Sequence, residues 1–203
     1  MTQPLPSVKE EMQSASDESI IPSLSTLSLR QELRKRLIQE RKDTTSALRQ
    51  AWDIRIQQKL LNVPQIMQAD IIGVYSPIRC EPNLLAFYQD LHQAGKQLAL
   101  PLVLAKDQAL AFVPWIPGDN MEKDEFGVLI PTSRDIVIQP NTLLIPCVGY
   151  NAGRFRLGYG GGFYDRTLAE LPHAYSVGIA YQLAYCDFAP EKFDLAMSIV
   201  VTD

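Results

Sequence analysis

Residues 142–168 read TLLIPCVGYNAGRFRLGYGGGFYDRTL. Thr142 to Val148 form a continuous apolar run, the pattern of a strand buried on both faces of a parallel sheet. The segment from Gly162 to Leu171 has the composition of a helix. Between them, Gly158, Gly160, Gly161 and Gly162 place four of the chain's 11 glycines within five residues. Strand, glycine loop and helix in that order predict an α/β unit. Its loop would lie at a carboxyl end of the sheet, where ligands of open α/β folds are held.

The flanking sequence extends the same alternation. Asp70–Ser76 reads as a buried strand and Asn83–Ala94 as a helix closed by Gly95. Gln97–Leu104 and Ala109–Trp115 read as strands joined by a turn at Lys106-Asp107, and Pro117–Glu125 as polar loop. Ser176–Ala180 and Ser198–Val201 complete the strands. Upstream, Leu29–Arg41 predicts a helix with Leu29, Leu33, Leu37 and Glu40 on one stripe. A second helix starts near Thr44 or Thr45 and ends around Leu61, its stripe being Leu48, Ala51, Trp52, Ile56 and Leu60. The order suits a three-layer α/β domain, Rossmann-like, with a mainly parallel central sheet flanked by helices. Residues 1–24, rich in Ser, Pro, Gln and acids, read as a flexible leader to a single domain over 25–203.

Composition bounds the function. The chain has 203 residues, 46% apolar and 21% charged, so it can bury a substantial core. A net charge of −4 argues against a surface built to grip nucleic acid, though not against a local phosphate pocket. Cys80, Cys147 and Cys186 show no zinc-ligand spacing and suggest a reduced, cytoplasmic chain. No stretch approaches the roughly 20 apolar residues that span a bilayer.

The glycine loop suits an anion, because its free N–H groups and those of the next helix converge on one point. A turn needed only for tight packing is the alternative. Two familiar motifs are excluded. A P-loop requires a lysine that this loop lacks, and the dinucleotide fingerprint requires glycine where Phe163 stands. Asp165 would repel a bound phosphate unless magnesium bridged the two, with Asp194 as a second acid; a plain Asp165–Arg166 pair is the alternative. Arg30 and Arg34, at i and i+4, project from one helix face and could clamp phosphate, although such a face is commonly just solvated. Glu81 lies in the loop after the first strand, where α/β sites recruit residues, and equally reads as a helix N-terminal acid. Trp115 and Phe126 flank a loop that could shelter an aromatic ligand, with core packing the default for each.

The run from Leu143 through Arg156-Leu157-Gly158-Tyr159-Gly160-Gly161-Gly162-Phe163-Tyr164-Asp165-Arg166 resembles the signature of the 5-formyltetrahydrofolate cyclo-ligase family. Matches at Leu29–Arg34, Tyr75–Glu81, Gly95-Lys96, Phe126-Gly127-Val128 and Val200–Thr202 extend the resemblance over roughly residues 26–203. It implies an ATP- and magnesium-dependent closure of 5-formyltetrahydrofolate, free or polyglutamylated, by a monomeric enzyme acting through an iminium phosphate. By matching position it implies ATP binding by Arg30, Arg34, Arg156, Leu157, Gly158, Tyr159, Gly160, Gly161, Gly162, Phe163 and Tyr164. Substrate contacts fall to Ser76, Glu81, Phe126 and Tyr164, magnesium to Asp165 and Asp194, and catalysis to Arg156 and Tyr164. The chain departs from the family's usual pattern at Thr26, Ile130, Asn151 and Phe155. The changes over Tyr150–Phe155 keep open a paralogue acting on another formylated or folate-like substrate, and the use of related sheet architectures as sensors keeps open a non-catalytic nucleotide or phosphate sensor.

Overall fold

A computed structural model describes the backbone of residues 22–203 and the side chains from Leu29 onward. The leader therefore lies, up to residue 21, outside the described residues, as does the side chain of Thr26. Three helices come first: α1 (Pro22–Asp43), α2 (Ser46–Leu60) and the short α3 (Pro64–Gln68). Thr45 starts α2, its side chain accepting from the Leu48 N–H, as Ser/Thr caps do.

The central sheet has the order β10-β9-β6-β1-β2-β3. Its strands are β1 (Ile71–Gly73), β2 (Gln97–Leu102), β3 (Ala111–Trp115), β6 (Thr142–Pro146), β9 (Tyr175–Ile179) and β10 (Ile199–Val201). Every pairing is parallel except β2 with β3, which run antiparallel around the anticipated turn. Strand alternation divides the core into two layers. Leu144 points with Ile72, Leu98, Leu100 and Val177 to the face covered by α2, α3 and α4 (Leu85–Gln93). Leu143 and Ile145 point with Ala99 and Phe112 to the face where Leu168 of α5 (Phe163–Glu170) packs. The three-layer α/β reading is correct.

Several local expectations need correction. Leu29 and Glu40 are exposed; the buried stripe of α1 is Arg30, Leu37 and Arg41, with Arg34 half-buried. Likewise Leu48 and Ala51 are exposed, and α2 buries Asp53, Ile56 and Leu60. The loop expected over Pro117–Glu125 contains β4 (Met121–Lys123), which pairs antiparallel with β5 (Leu129–Pro131). A second small ribbon, β7 (Gly149–Tyr150) with β8 (Arg156–Leu157), follows β6 and leads into the glycine loop.

The chain leaves β1 toward β2 on one side of the sheet and β6 toward β9 on the other. β1 and β6 are neighbours, so the strand order reverses between them and their carboxyl ends open a crevice. The Val74–Glu81 segment follows β1, and the glycine loop follows the β7–β8 ribbon.

Candidate active site

The crevice holds a cavity of about 440 Å³ lined from every side. α1 contributes Arg30 and Arg34; the segment after β1 contributes Ser76 and Glu81; the β4–β5 hairpin contributes Phe126. The glycine loop and the start of α5 contribute Arg156 and Gly158 through Asp165, and the segment before β10 contributes Glu191 and Asp194. Sequence-assigned residues from both ends of the chain thus meet at one place. Leu157 is the exception. It is fully buried against Leu37, Val148 and Cys186, so its side chain packs the core beneath the loop and touches no ligand space.

The glycine loop is shaped as an anion cradle. Gly160 and Gly162 have φ of +98° and +66°, in the left-handed region where a Cβ is disfavoured. Gly162 is the N-cap of α5, so the unpaired N–H groups of that helix open beside the loop. Arg34 donates from Nε to the Gly158 carbonyl at 2.8 Å, and its guanidinium lies against Gly160. Among the described residues no carboxylate pairs with Arg34. Burial, and then the neighbouring Arg30, lower its pKa, as expected of a cation short of counter-charge.

The other two arginines are balanced. Arg30 bonds Glu191 at 2.9 Å and Asp194 at 2.7 Å; burial opposes its charge, but the two carboxylates outweigh burial and raise its pKa. Its Nε is buried with no partner among the described residues, a donor that an incoming acceptor would satisfy. Arg156 bonds Asp165 at 2.9 Å and lies 5.8 Å from the Tyr164 ring centre. The alternative Asp165–Arg166 pair does not form: Arg166 donates instead to the carbonyls of Gly161 and Gln108.

Both aspartates keep one oxygen in reserve. Asp165 uses Oδ1 for Arg156 and the Leu195 N–H, and Asp194 uses Oδ2 for Arg30 and the Glu191 N–H. No further bond engages Asp165 Oδ2 or Asp194 Oδ1 among the described residues, and no three His, Cys, Asp or Glu side chains converge into a cage. Two carboxylate oxygens beside the glycine loop fit magnesium, a hard cation that would be held there by Asp165 and Asp194.

Glu81 lines the same cavity and is 4% exposed. It accepts from Tyr159 Oη at 2.6 Å and from the Ile78 N–H at 2.9 Å. Burial raises its pKa, only partly offset by those hydrogen bonds and by Arg41 and Arg79. The helix-terminal alternative fails, because Glu81 precedes α4 by a turn and faces the cavity. Phe126 is on the rim, 56% exposed and edge-on to Phe163 at 6.3 Å, whereas Trp115 is core. Of the departures, Ile130 is buried under the hairpin with Leu102 and Val113. Asn151 caps the β7–β8 turn through Phe155 N–H and the Phe188 carbonyl. Neither lines the cavity.

Sequence reasoning missed Arg41, Arg79 and Glu191. Arg41 was legible as the continuation of Arg30 and Arg34: positions 30, 34, 37 and 41 follow one helical stripe. Glu191 had no signal, since its role depends on the segment before β10 folding back onto α1.

An open, mainly parallel sheet with a glycine loop, arginines and acids gathered at its switch point is the arrangement of an α/β enzyme. The model of the 5-formyltetrahydrofolate cyclo-ligase family matches residues 27–203, and the chain belongs to that family. Its enzyme class is therefore ligase. Relatives named 5-formyltetrahydrofolate cyclo-ligase include one from Mycoplasma pneumoniae, 27% identical over 179 residues, covering 84% of this chain and 96% of the relative. Another, from Haemophilus influenzae, is 28% identical over 176 residues and covers 83% and 94%. A solved 5,10-methenyltetrahydrofolate synthetase from M. pneumoniae superimposes with a TM-score of 0.71 at 25% identity, covering 86% of this chain and 98% of that one. One from Aquifex aeolicus gives 0.73 at 23% identity over 85% and 89%, a likeness of fold.

Proposed function

We propose that this chain closes 5-formyltetrahydrofolate to 5,10-methenyltetrahydrofolate with ATP as co-substrate, releasing ADP and phosphate. The observation that carries the reading is Arg34, a cation with no carboxylate partner among the described residues, held against Gly160 at the N-terminus of α5. Such a site calls for an anion, and family membership supplies its chemistry.

The folate's formyl oxygen attacks the γ-phosphorus and ADP departs. The resulting iminium phosphate takes the N10 lone pair at its carbon; N10 loses its proton, and phosphate leaves with the C–O electrons. An amide oxygen is a poor leaving group and its phosphate ester a good one. The protein's task is placement and charge neutralisation. Arg34, Arg156 and the amides of Gly160–Gly162 hold the phosphates, with Arg30 behind them and Tyr164 alongside. Ser76 and Glu81 bind the pterin edge, and Phe126 stacks from the rim. At Asp165 and Asp194, magnesium would neutralise charge on the transferred phosphoryl group. In this reading residues 25–203 act as one domain, monomeric and cytoplasmic, on mono- or polyglutamylated substrate.

The test is spectrophotometric formation of methenyltetrahydrofolate from purified protein, omitting ATP, magnesium or folate in turn. Product that requires all three is expected. Folded protein that binds ATP but forms no product would overturn the reading in favour of a sensor or a drifted paralogue.

A further inference from the structure

Arg41 is buried to 3% exposure near the end of α1 and carries no carboxylate partner among the described residues. Its donors instead join three segments of the switch point. Nε donates to the Arg79 carbonyl at 3.0 Å, Nη2 to Tyr159 Oη at 2.9 Å, and Nη1 makes a longer contact of 3.5 Å with the Cys147 carbonyl. Arg79 and Cys80 both have positive φ, 48° and 60°, costly for residues with a Cβ. This strained pair delivers Glu81 into the cavity, and Arg41 holds the carbonyl of its first member.

A guanidinium has donors only. Tyr159 oxygen must therefore accept from Arg41, which commits its own proton to Glu81 Oε1 at 2.6 Å. Glu81 Oε2 is occupied by the Ile78 N–H, so each oxygen of an ionised Glu81 keeps capacity for one more donor. That is the arrangement that receives a ligand edge bearing two adjacent N–H groups.

We propose that Arg41 is a positioning residue: through Tyr159 it fixes Glu81 as an ionised, correctly turned acceptor for the folate's donor edge. The proposal rests on the folate reading above only for the identity of that ligand. The charged and titratable groups around Glu81 are Arg41 of α1, Arg79 of its own loop, Tyr159 of the glycine loop, Tyr164 of α5, Tyr75 after β1, Tyr88 of α4 and Cys147 after β6. Only the two arginines favour the carboxylate by charge; the tyrosines and the thiol are neutral at working pH.

The test follows the Glu81 carboxyl directly. Protein labelled with 13C at glutamate carboxyls is titrated without substrate, the resonance being assigned by its loss in Glu81→Gln. In Arg41→Met and in Tyr159→Phe the midpoint should rise by about one pH unit, with Arg41→Lys recovering part of the shift. In turnover assays Arg41→Met should raise KM for formyl-folate at least tenfold, leave KM for ATP within twofold, and move the acid limb of kcat/KM upward. The double variant Arg41→Met/Tyr159→Phe should be no worse than the first alone. Tyr159→Phe keeps the buried guanidinium, so the relay is tested even where Arg41→Met fails to fold. A Glu81 midpoint unchanged in both Tyr159→Phe and Arg41→Lys would overturn the proposal, as would equal losses in folate and ATP KM. A shifted midpoint in a protein that makes no methenyl product would sustain Arg41's role and overturn the folate reading instead.

Discussion

Glu81 is a carboxyl that burial favours in its neutral form and that the proposed folate contact requires in its ionised form. Burial holds its proton above the usual value of 4.5. The folded state therefore binds that proton more tightly than the unfolded chain. Its contribution to stability is complete below pH 4.5 and is lost as pH rises through the folded pKa. Replacing the acid by its amide removes this loss, while the Gln carbonyl can still accept from the Ile78 N–H. Glu81→Gln should thus have a higher Tm than the parent at pH 7 and no advantage below pH 4.5. Its amide would also set a donor against the donors of the ligand, lowering kcat/KM for formyl-folate roughly 10–100-fold. Calorimetry at two pH values, with the methenyl assay, checks both halves. At this scale the sequence was most informative where a residue type has one dominant use. Gly160 and Gly162 were legible as positions whose backbone only glycine takes readily. Arg41 was legible only through its place on the stripe of Arg30, Arg34 and Leu37, and Glu191 not at all, because a loop carboxylate looks like an ordinary surface charge until its partner is in place.

α1 and the glycine loop are two elements locked together by Arg34 and Arg41, and that locking explains what was misread in each. The leucines at 29 and 33 suggested an apolar stripe, yet α1 turns its arginine stripe inward, because the crevice offers carbonyls, a tyrosine and two acids as partners. The β4–β5 hairpin was invisible for a different reason. Met121–Lys123 buries almost nothing, so no alternation marks it; Asp124 makes the turn by accepting from the N–H groups of Phe126 and Val128. By contrast β6, β9 and α4 carried strong apolar patterns and were read correctly. In the loop, Gly162 at φ +66° faces the guanidinium of Arg166, which a Cβ would meet at 2.9 Å. Gly162→Ala should therefore displace Arg166 from the Gly161 carbonyl and strain the N-cap of α5. We expect a stability loss of roughly 1–2 kcal/mol, read from urea unfolding. KM for ATP should rise at least tenfold and KM for formyl-folate by less, because Glu81 meets the loop at Tyr159, three residues before Gly162.

At the level of the whole molecule, the cavity is closed by segments far apart in sequence, from α1 at one end to Glu191 and Asp194 near the other. Ligands that bridge them stabilise the fold globally. At a hundredfold excess over Kd, ATP with magnesium should add about 2.7 kcal/mol, roughly 5–10 °C in Tm. The metal's share can be isolated by comparing ATP alone with ATP plus magnesium. Asp165→Asn will lower the ligand-free Tm, since the nearly buried Arg156 loses its one carboxylate partner among the described residues, a loss of about 3–5 kcal/mol; Asp194→Asn will lower it less, because Arg30 keeps Glu191. The decisive quantity is therefore the increment added by magnesium, measured against each variant's own ATP-bound baseline. That increment should be present in the parent and abolished in Asp165→Asn. If both variants kept it in full, magnesium would sit on the nucleotide alone, and the two aspartates would serve only to hold Arg156 and Arg30 in place.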